Sequence, residues 1–210
     1  MARIFQNDLE LKPEITDDRF QMVDDGAVEQ ETGELLYSFI RRMKPENVLE
    51  TGTYTGISSL YMAQALKDNG FGHMWSVEFE QFHIDRANKL WQEQGVSEWI
   101  TSIKADSREF KPDKQYQFMF LDTELNLRFG ELVRFFDNLD EGGYIFVHDM
   151  PRSLCQGNVN PDHPEIPNWP VGELPDEFEI MVNNHHLKSF YFPGARGLVG
   201  FYKPHREDFI

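Results

Sequence analysis

The stretch that most constrains this chain lies at residues 47–62 and reads NVLETGTYTGISSLYM. A short apolar run ends at Glu50, glycines follow at Gly52 and Gly56, and apolar residues then recur at helical spacing. This order predicts a strand, a tight glycine turn and a helix, which is the opening unit of an α/β nucleotide-binding sheet. Because free N–H groups at a helix start favour a polar or anionic group, we expect a small cofactor on this turn.

The spacing of the glycines restricts the kind of cofactor. A dinucleotide fingerprint needs G-x-G-x-x-G, but the bulky Tyr54 stands where its second glycine belongs. A P-loop needs Gly-Lys-Ser or Gly-Lys-Thr after four spacer residues, and the chain contains no such sequence. Neither of these two phosphate-binding patterns therefore accounts for the turn.

Residues 50–58, ETGTYTGIS, resemble the first motif of the class I S-adenosylmethionine-dependent methyltransferases. The similarity is greatest to the catechol and caffeoyl-CoA O-methyltransferase group, where E-x-G-x-Y-x-G-x-S is characteristic. The resemblance implies that S-adenosylmethionine is the cofactor and that a small-molecule acceptor is methylated, most simply on oxygen. It further implies that the motif forms part of the cofactor site through Glu50, Gly52, Tyr54, Gly56 and Ser58.

A second short strand is predicted at residues 73–78, ending in Glu78. Ligands of α/β sheets lie at the carboxyl ends of the strands, where an acid can accept hydrogen bonds from both ribose hydroxyls. Glu78 is placed to do so in nicotinamide and S-adenosylmethionine folds alike. The adjacent Phe79 is then expected to pack on the adenine.

The resemblance assigns further cofactor contacts on either side of these strands. The loop after the third strand contacts the adenine in the family, and here it carries Asp106 and Ser107. A helix is predicted at residues 29–43, and in the family a helix with a similar entry closes over the cofactor. Val28, just before it, is thereby expected at the methionine end.

Two apolar runs of strand length follow, at residues 116–121 and 143–147, with an amphipathic helix between them. The first run ends at Asp122, and the second at His148 and Asp149. Residues 186–203 read as a strand–turn–strand hairpin. The predicted fold is α/β: a Rossmann-like, doubly wound, seven-stranded, mostly parallel sheet with a C-terminal antiparallel hairpin.

The order of elements predicts an N-terminal arm at residues 1–26 and a single methyltransferase domain at residues 27–210. Residues 151–175 contain six prolines and little periodicity, which makes them a candidate substrate lid or a plain surface loop.

No signal peptide or membrane-spanning run is apparent, so a cytoplasmic protein is expected. The net charge of −16 disfavours nucleic acid and anionic membranes as partners and favours a small substrate. The sequence is also compatible with a homo-oligomer.

The residues expected to bind the methyl acceptor match the resembled group less closely than the cofactor motif does. In the metal-dependent members of the resembled group, two Asp and an Asn hold Mg²⁺, and a Lys three residues after the first Asp acts as base. Asp122 and Asp149 match the two Asp positions, and Asp122 also matches a position near the methionine moiety of the cofactor. Met150 stands at the Asn position and Leu125 at the Lys position, and Met cannot supply the oxygen ligand that a hard cation requires.

Two arrangements would restore a working site. Glu124 would supply the third metal ligand, or the site works without metal and His148, Asp149 or His163 takes the proton. Adjacent residues of a strand point to opposite faces, so the side chains of His148 and Asp149 are expected to diverge. These two residues are nevertheless the predicted catalytic pair.

Two other functions fit parts of the sequence. The missing Lys and Asn are consistent with a cofactor-binding protein of the same fold that lacks catalysis. The glycine turn and Glu78 also suit a nicotinamide-dependent oxidoreductase, although Tyr54 and the C-terminal hairpin disfavour it.

Overall fold

The structure is a computed structural model that describes residues 4–15, 17–150, 176–184, 186–194 and 196–205. The chain divides into two compact units, residues 1–110 and residues 111–210. The single domain at residues 27–210 therefore stays a prediction. The predicted lid at residues 151–175, which includes His163, lies outside the described residues.

The N-terminal unit contains five strands and three α-helices among its described residues. In chain order they are β1 Lys12–Pro13, β2 Gln21–Met22, α1 Gln30–Met43, β3 Asn47–Thr51, α2 Ile57–Asn69, β4 His73–Glu78, α3 Gln81–Glu93 and β5 Ile100–Lys104. β4 pairs in parallel with both β3 and β5. In the described part of the arm, the strands are the two-residue β1 and β2, which pair with each other.

The C-terminal unit contains four strands and two α-helices among its described residues. They are β6 Tyr116–Leu121, α4 Arg128–Phe135, β7 Leu139–His148, α5 Asp176–Asn183, β8 Lys188–Phe192 and β9 Leu198–Tyr202. β6 and β7 run parallel, whereas β9 pairs antiparallel with both β7 and β8. Strands β3 to β9 make up a seven-stranded, mostly parallel sheet that ends in the antiparallel hairpin. The predicted fold class is thus confirmed.

Helix α2 shows why the first βα unit holds its position. Its residues from Ile57 to Leu66 are all buried, in keeping with a sequence that is apolar or small on every side. The helix starts after Gly56 and ends at Gly70, both of which adopt the left-handed backbone conformation. Among the described helices none is long and apolar enough to cross a membrane.

Candidate active site

The glycine turn, residues 52–56, has a backbone that few other sequences could adopt. Gly52, Tyr54 and Gly56 have φ values of 86°, 46° and 80°. The N–H of Gly52 donates to the carbonyl of Val77 at 2.9 Å, which fixes the turn at the end of β4. Positive φ is uncommon for a side chain as large as that of Tyr54. Its hydroxyl is anchored by donating to the carbonyl of Asp25 at 3.0 Å.

Gly56 is required for close packing as well as for its backbone conformation. A Cβ atom at this position would lie 2.7 Å from the Cβ of Ala87 and 2.8 Å from Nε1 of Trp91. The same indole N–H donates to the Gly56 carbonyl at 2.9 Å. The start of α2 therefore lies against α3 without room for a side chain.

Glu50 turns away from solvent at the carboxyl end of β3. Its side chain is fully buried and accepts hydrogen bonds from the hydroxyls of Ser58, Ser59 and Ser76. Ser58 and Ser59 lie in the first turn of α2, and Ser76 lies in β4. The carboxylate thus ties the strand ends to the helix start, and direct contact of Glu50 and Ser58 with a cofactor stays a prediction.

Glu78 presents a partly exposed carboxylate at the end of β4. Its Oε2 accepts the backbone N–H of Tyr54, and its Oε1 accepts that of Glu80, each at 2.9 Å. A carboxylate offers about four lone-pair sites, so each oxygen keeps capacity for a second donor. The two amides hold the Glu78 carboxylate in one orientation, in which it could accept hydrogen bonds from a pair of vicinal hydroxyls.

The residues predicted around the adenine and the methionine end differ in their exposure. Phe79 is 59% exposed, whereas Ser107 and Val28 are buried. The Asp106 carboxylate accepts hydrogen bonds from the backbone N–H and the guanidinium of Arg108. Only Phe79 among these offers a large open apolar face, and the cofactor contacts of all four stay predictions.

In the C-terminal unit, Asp122 and Asp149 follow the ends of the parallel strands β6 and β7. His148 Nδ1 lies 3.2 Å from Asp122 Oδ1 and 3.5 Å from Asp149 Oδ1. The three side chains could present ligand atoms within 4.8 Å of one another. Because ionised carboxylates can only accept, the geometry assigns the imidazole proton to Nδ1.

The expectation that His148 and Asp149 diverge is wrong. It assumed an extended strand, but Asp149 has a φ of 53°, in the left-handed region. This backbone turn breaks the alternation of side chains and brings both residues to the same group. One of the two carboxylate oxygens of Asp149, Oδ1, is buried and accepts no hydrogen bond from the residues that the structure describes.

Arg128 is a member of this group that the sequence analysis missed. Its Nη2 lies 2.9 Å from Asp122 Oδ1 and 3.2 Å from Asp149 Oδ2. It is the first residue of α4 and lies on the buried face of that helix together with Glu131 and Leu132. The available signal was the pair of charged residues at an i, i+3 spacing on an otherwise apolar stripe, where a charge needs a partner.

Two further parts of the predicted site do not join the group. Glu124, the alternative metal ligand, is exposed on the turn after β6. Met150 is buried, and its backbone N–H donates to the Gly197 carbonyl at 3.3 Å. Arg196, also absent from the sequence prediction, has its Nε 3.5 Å from Asp149 Oδ1.

Comparison with known proteins extends these observations. Residues 49–150 match the model of a family described as a methyltransferase domain. A probable O-methyltransferase of Mycobacterium tuberculosis is 32% identical over 76 residues, which cover 36% of this chain and 31% of the relative. The caffeoyl-CoA O-methyltransferase of Stellaria longipes is 26% identical over 145 residues, covering 65% and 58%. The chain thus spans less than two thirds of the length of either relative.

The fold comparison covers more of the chain. The O-methyltransferase TomG from Streptomyces achromogenes, solved in complex with S-adenosylmethionine, superposes with a TM-score of 0.69 at 20% sequence identity. The match covers 87% of this chain and 84% of TomG. The superposition shows that this chain has the fold of TomG, and its residues 49–150 match a methyltransferase domain.

Proposed function

We propose that this chain transfers the methyl group of S-adenosylmethionine to a hydroxyl oxygen of a small molecule. The observation that carries the proposal is the Glu78 carboxylate, which two backbone amides hold at the end of β4. Each of its oxygens can accept a second hydrogen bond. Two vicinal ribose hydroxyls are a fitting pair of donors for it. The glycine turn beside it has positive φ at Gly52, Tyr54 and Gly56.

The other cofactor assignments follow from the resemblance to the methyltransferase family. Phe79 supplies an open ring for the adenine, with Asp106 and Ser107 at its polar edge. The resemblance assigns the glycine turn and Val28 to the amino-acid end of the cofactor. Glu50 holds the turn in shape through its three hydroxyl partners.

On the acceptor side, Asp149 is the proposed general base. Its Oδ1 has a free acceptor site among the described residues, whereas His148 is almost fully buried and directs Nδ1 at the carboxylates. His148 is therefore a positioning residue. In the transfer step the acceptor oxygen forms a bond to the methyl carbon as the carbon–sulfur bond breaks. The bonding pair remains on sulfur to give S-adenosylhomocysteine, and Asp149 takes the hydroxyl proton.

A Mg²⁺ ion at Asp122 and Asp149 does not fit this arrangement. The ion requires oxygen ligands at about 2.0–2.1 Å and usually keeps several waters. The guanidinium of Arg128 already contacts both carboxylates, and no oxygen comes from the side chain of Met150. No step is assigned to a metal.

The proposal is tested with S-adenosylmethionine labelled in its methyl group and a panel of phenols, catechols and aliphatic alcohols. We expect labelled product from at least one acceptor. Asp149→Asn should lower kcat/KM by roughly 10²–10⁴-fold, the usual contribution of a general base. Asp137→Asn, the same change at an exposed position of the same unit, is the matched control.

Two outcomes would contradict parts of the proposal. A protein that binds S-adenosylhomocysteine but methylates no acceptor would be a cofactor-binding protein without catalysis. Methylation that Asp149→Asn leaves unchanged would remove the base assignment. The net charge of −16 supports a small acceptor over nucleic acid. Cytoplasmic location and homo-oligomerisation stay predictions.

A further inference from the structure

Every nitrogen of the Arg128 guanidinium contacts an acceptor of the protein itself. A guanidinium carries five N–H groups. Nε donates to the Thr123 carbonyl at 2.8 Å, and Nη1 donates to the His148 carbonyl and to Asp149 Oδ2 at 3.3 Å. Nη2 contacts Asp122 Oδ1 and Asp149 Oδ2. Among the described residues, the guanidinium therefore pairs with the two carboxylates of Asp122 and Asp149.

The position of this guanidinium is fixed. Its side chain is 5% exposed, and two of its five contacts are main-chain carbonyls that do not depend on the acidic residues. A divalent ion between Asp122 and Asp149 would need to displace it or accept a fixed positive charge a few ångströms away. Such repulsion is strong in a buried site.

Resting on the proposed function, we propose that Arg128 is a permanent internal cation standing where metal-dependent members of the resembled group hold a divalent ion. The guanidinium pairs with Asp122 and with Oδ2 of Asp149. Oδ1 of Asp149 lies 3.5 Å from Arg196 Nε and from His148 Nδ1 but accepts no hydrogen bond from the described residues, so it keeps an acceptor site for the hydroxyl. Methyl transfer by this chain is therefore independent of divalent metal. Acceptors need one hydroxyl, because no ion is present to chelate a vicinal pair.

The test is a titration with Mn²⁺, with free ion followed by electron paramagnetic resonance. It compares the wild-type protein with Arg128→Gln, Arg128→Lys and Asp122→Asn. The wild type and Arg128→Lys, which both keep the cation, should show no saturable binding at the pair. Arg128→Gln removes the charge and frees two carboxylates and His148, so it should bind Mn²⁺ at least about tenfold more tightly.

Saturable Mn²⁺ binding by the wild type that Asp122→Asn abolishes would overturn the proposal, and this arm requires no Arg128 variant to fold. Failure of a folded Arg128→Gln to gain affinity would overturn it too. Binding that Asp122→Asn leaves unchanged lies elsewhere and agrees with the proposal. Titration of the same samples with S-adenosylhomocysteine keeps the two claims apart, since its failure would refute the proposed function alone.

Discussion

Replacing Gly56 by alanine should be the most damaging single-methyl change at the glycine turn. The residue has a φ of 80°, and an added Cβ would lie 2.7 Å from Ala87 Cβ and 2.8 Å from the Trp91 indole nitrogen. The left-handed conformation costs an alanine about 1–2 kcal/mol. Overpacking against two buried residues adds about 1–3 kcal/mol. The free energy of unfolding should fall by about 2–5 kcal/mol.

Gly70 provides a matched control at the other end of the same helix. Its φ is 65°, and a Cβ there would have no atom within 4 Å. Gly70→Ala therefore incurs the backbone cost alone, about 1–2 kcal/mol. Urea denaturation followed by circular dichroism measures both variants. Equal losses in the two variants would refute the argument that close packing of α2 on α3 fixes the glycine at position 56.

Two further predictions concern buried polar groups of the N-terminal unit. Glu50→Ala should lower the free energy of unfolding by about 3 kcal/mol or more, because each hydroxyl that loses its acceptor costs about 1–3 kcal/mol. The exposed Glu46→Ala should change it by less than about 0.5 kcal/mol, and an equal effect of the two in urea denaturation would contradict the buried cluster. Burial lowers the pKa of His73 below its ordinary value of 6.5, so the unfolded chain binds more protons between the two pKa values. Stability should fall as the pH drops below about 6.5, and His73→Gln should lessen that fall; a variant with an unchanged pH profile would rule this out.

The sequence predicted the elements whose signals are local. β4 and β6 have the predicted bounds, because each is a short apolar run that ends at a charged residue. β7 is longer than the predicted run at residues 143–147, because it starts at Leu139 and ends at His148. The helix before it correspondingly ends at Phe135.

The position of an acid at a strand end was predictable, as for Glu78 and Asp122, whose roles in the site stay predictions. The site was not predictable where pairing depends on residues distant in the chain. Arg128 was missed because a charge at a helix start normally faces solvent, and its two acidic partners are identified only by the fold. The divergence expected of His148 and Asp149 failed because a positive φ at an aspartate carries only a weak sequence signal.

We propose that the end of β4 and the glycine turn bind the nucleoside of S-adenosylmethionine. Calorimetric titration with S-adenosylhomocysteine of the wild type, Glu78→Gln and the exposed neighbour variant Glu80→Gln tests it most directly. Hydrogen bonds to a charged group contribute about 1.5–3 kcal/mol, so Glu78→Gln should weaken binding by roughly ten- to a hundredfold while Glu80→Gln binds like the wild type. Absence of binding by the wild type, or equal affinity of all three proteins, would contradict the account.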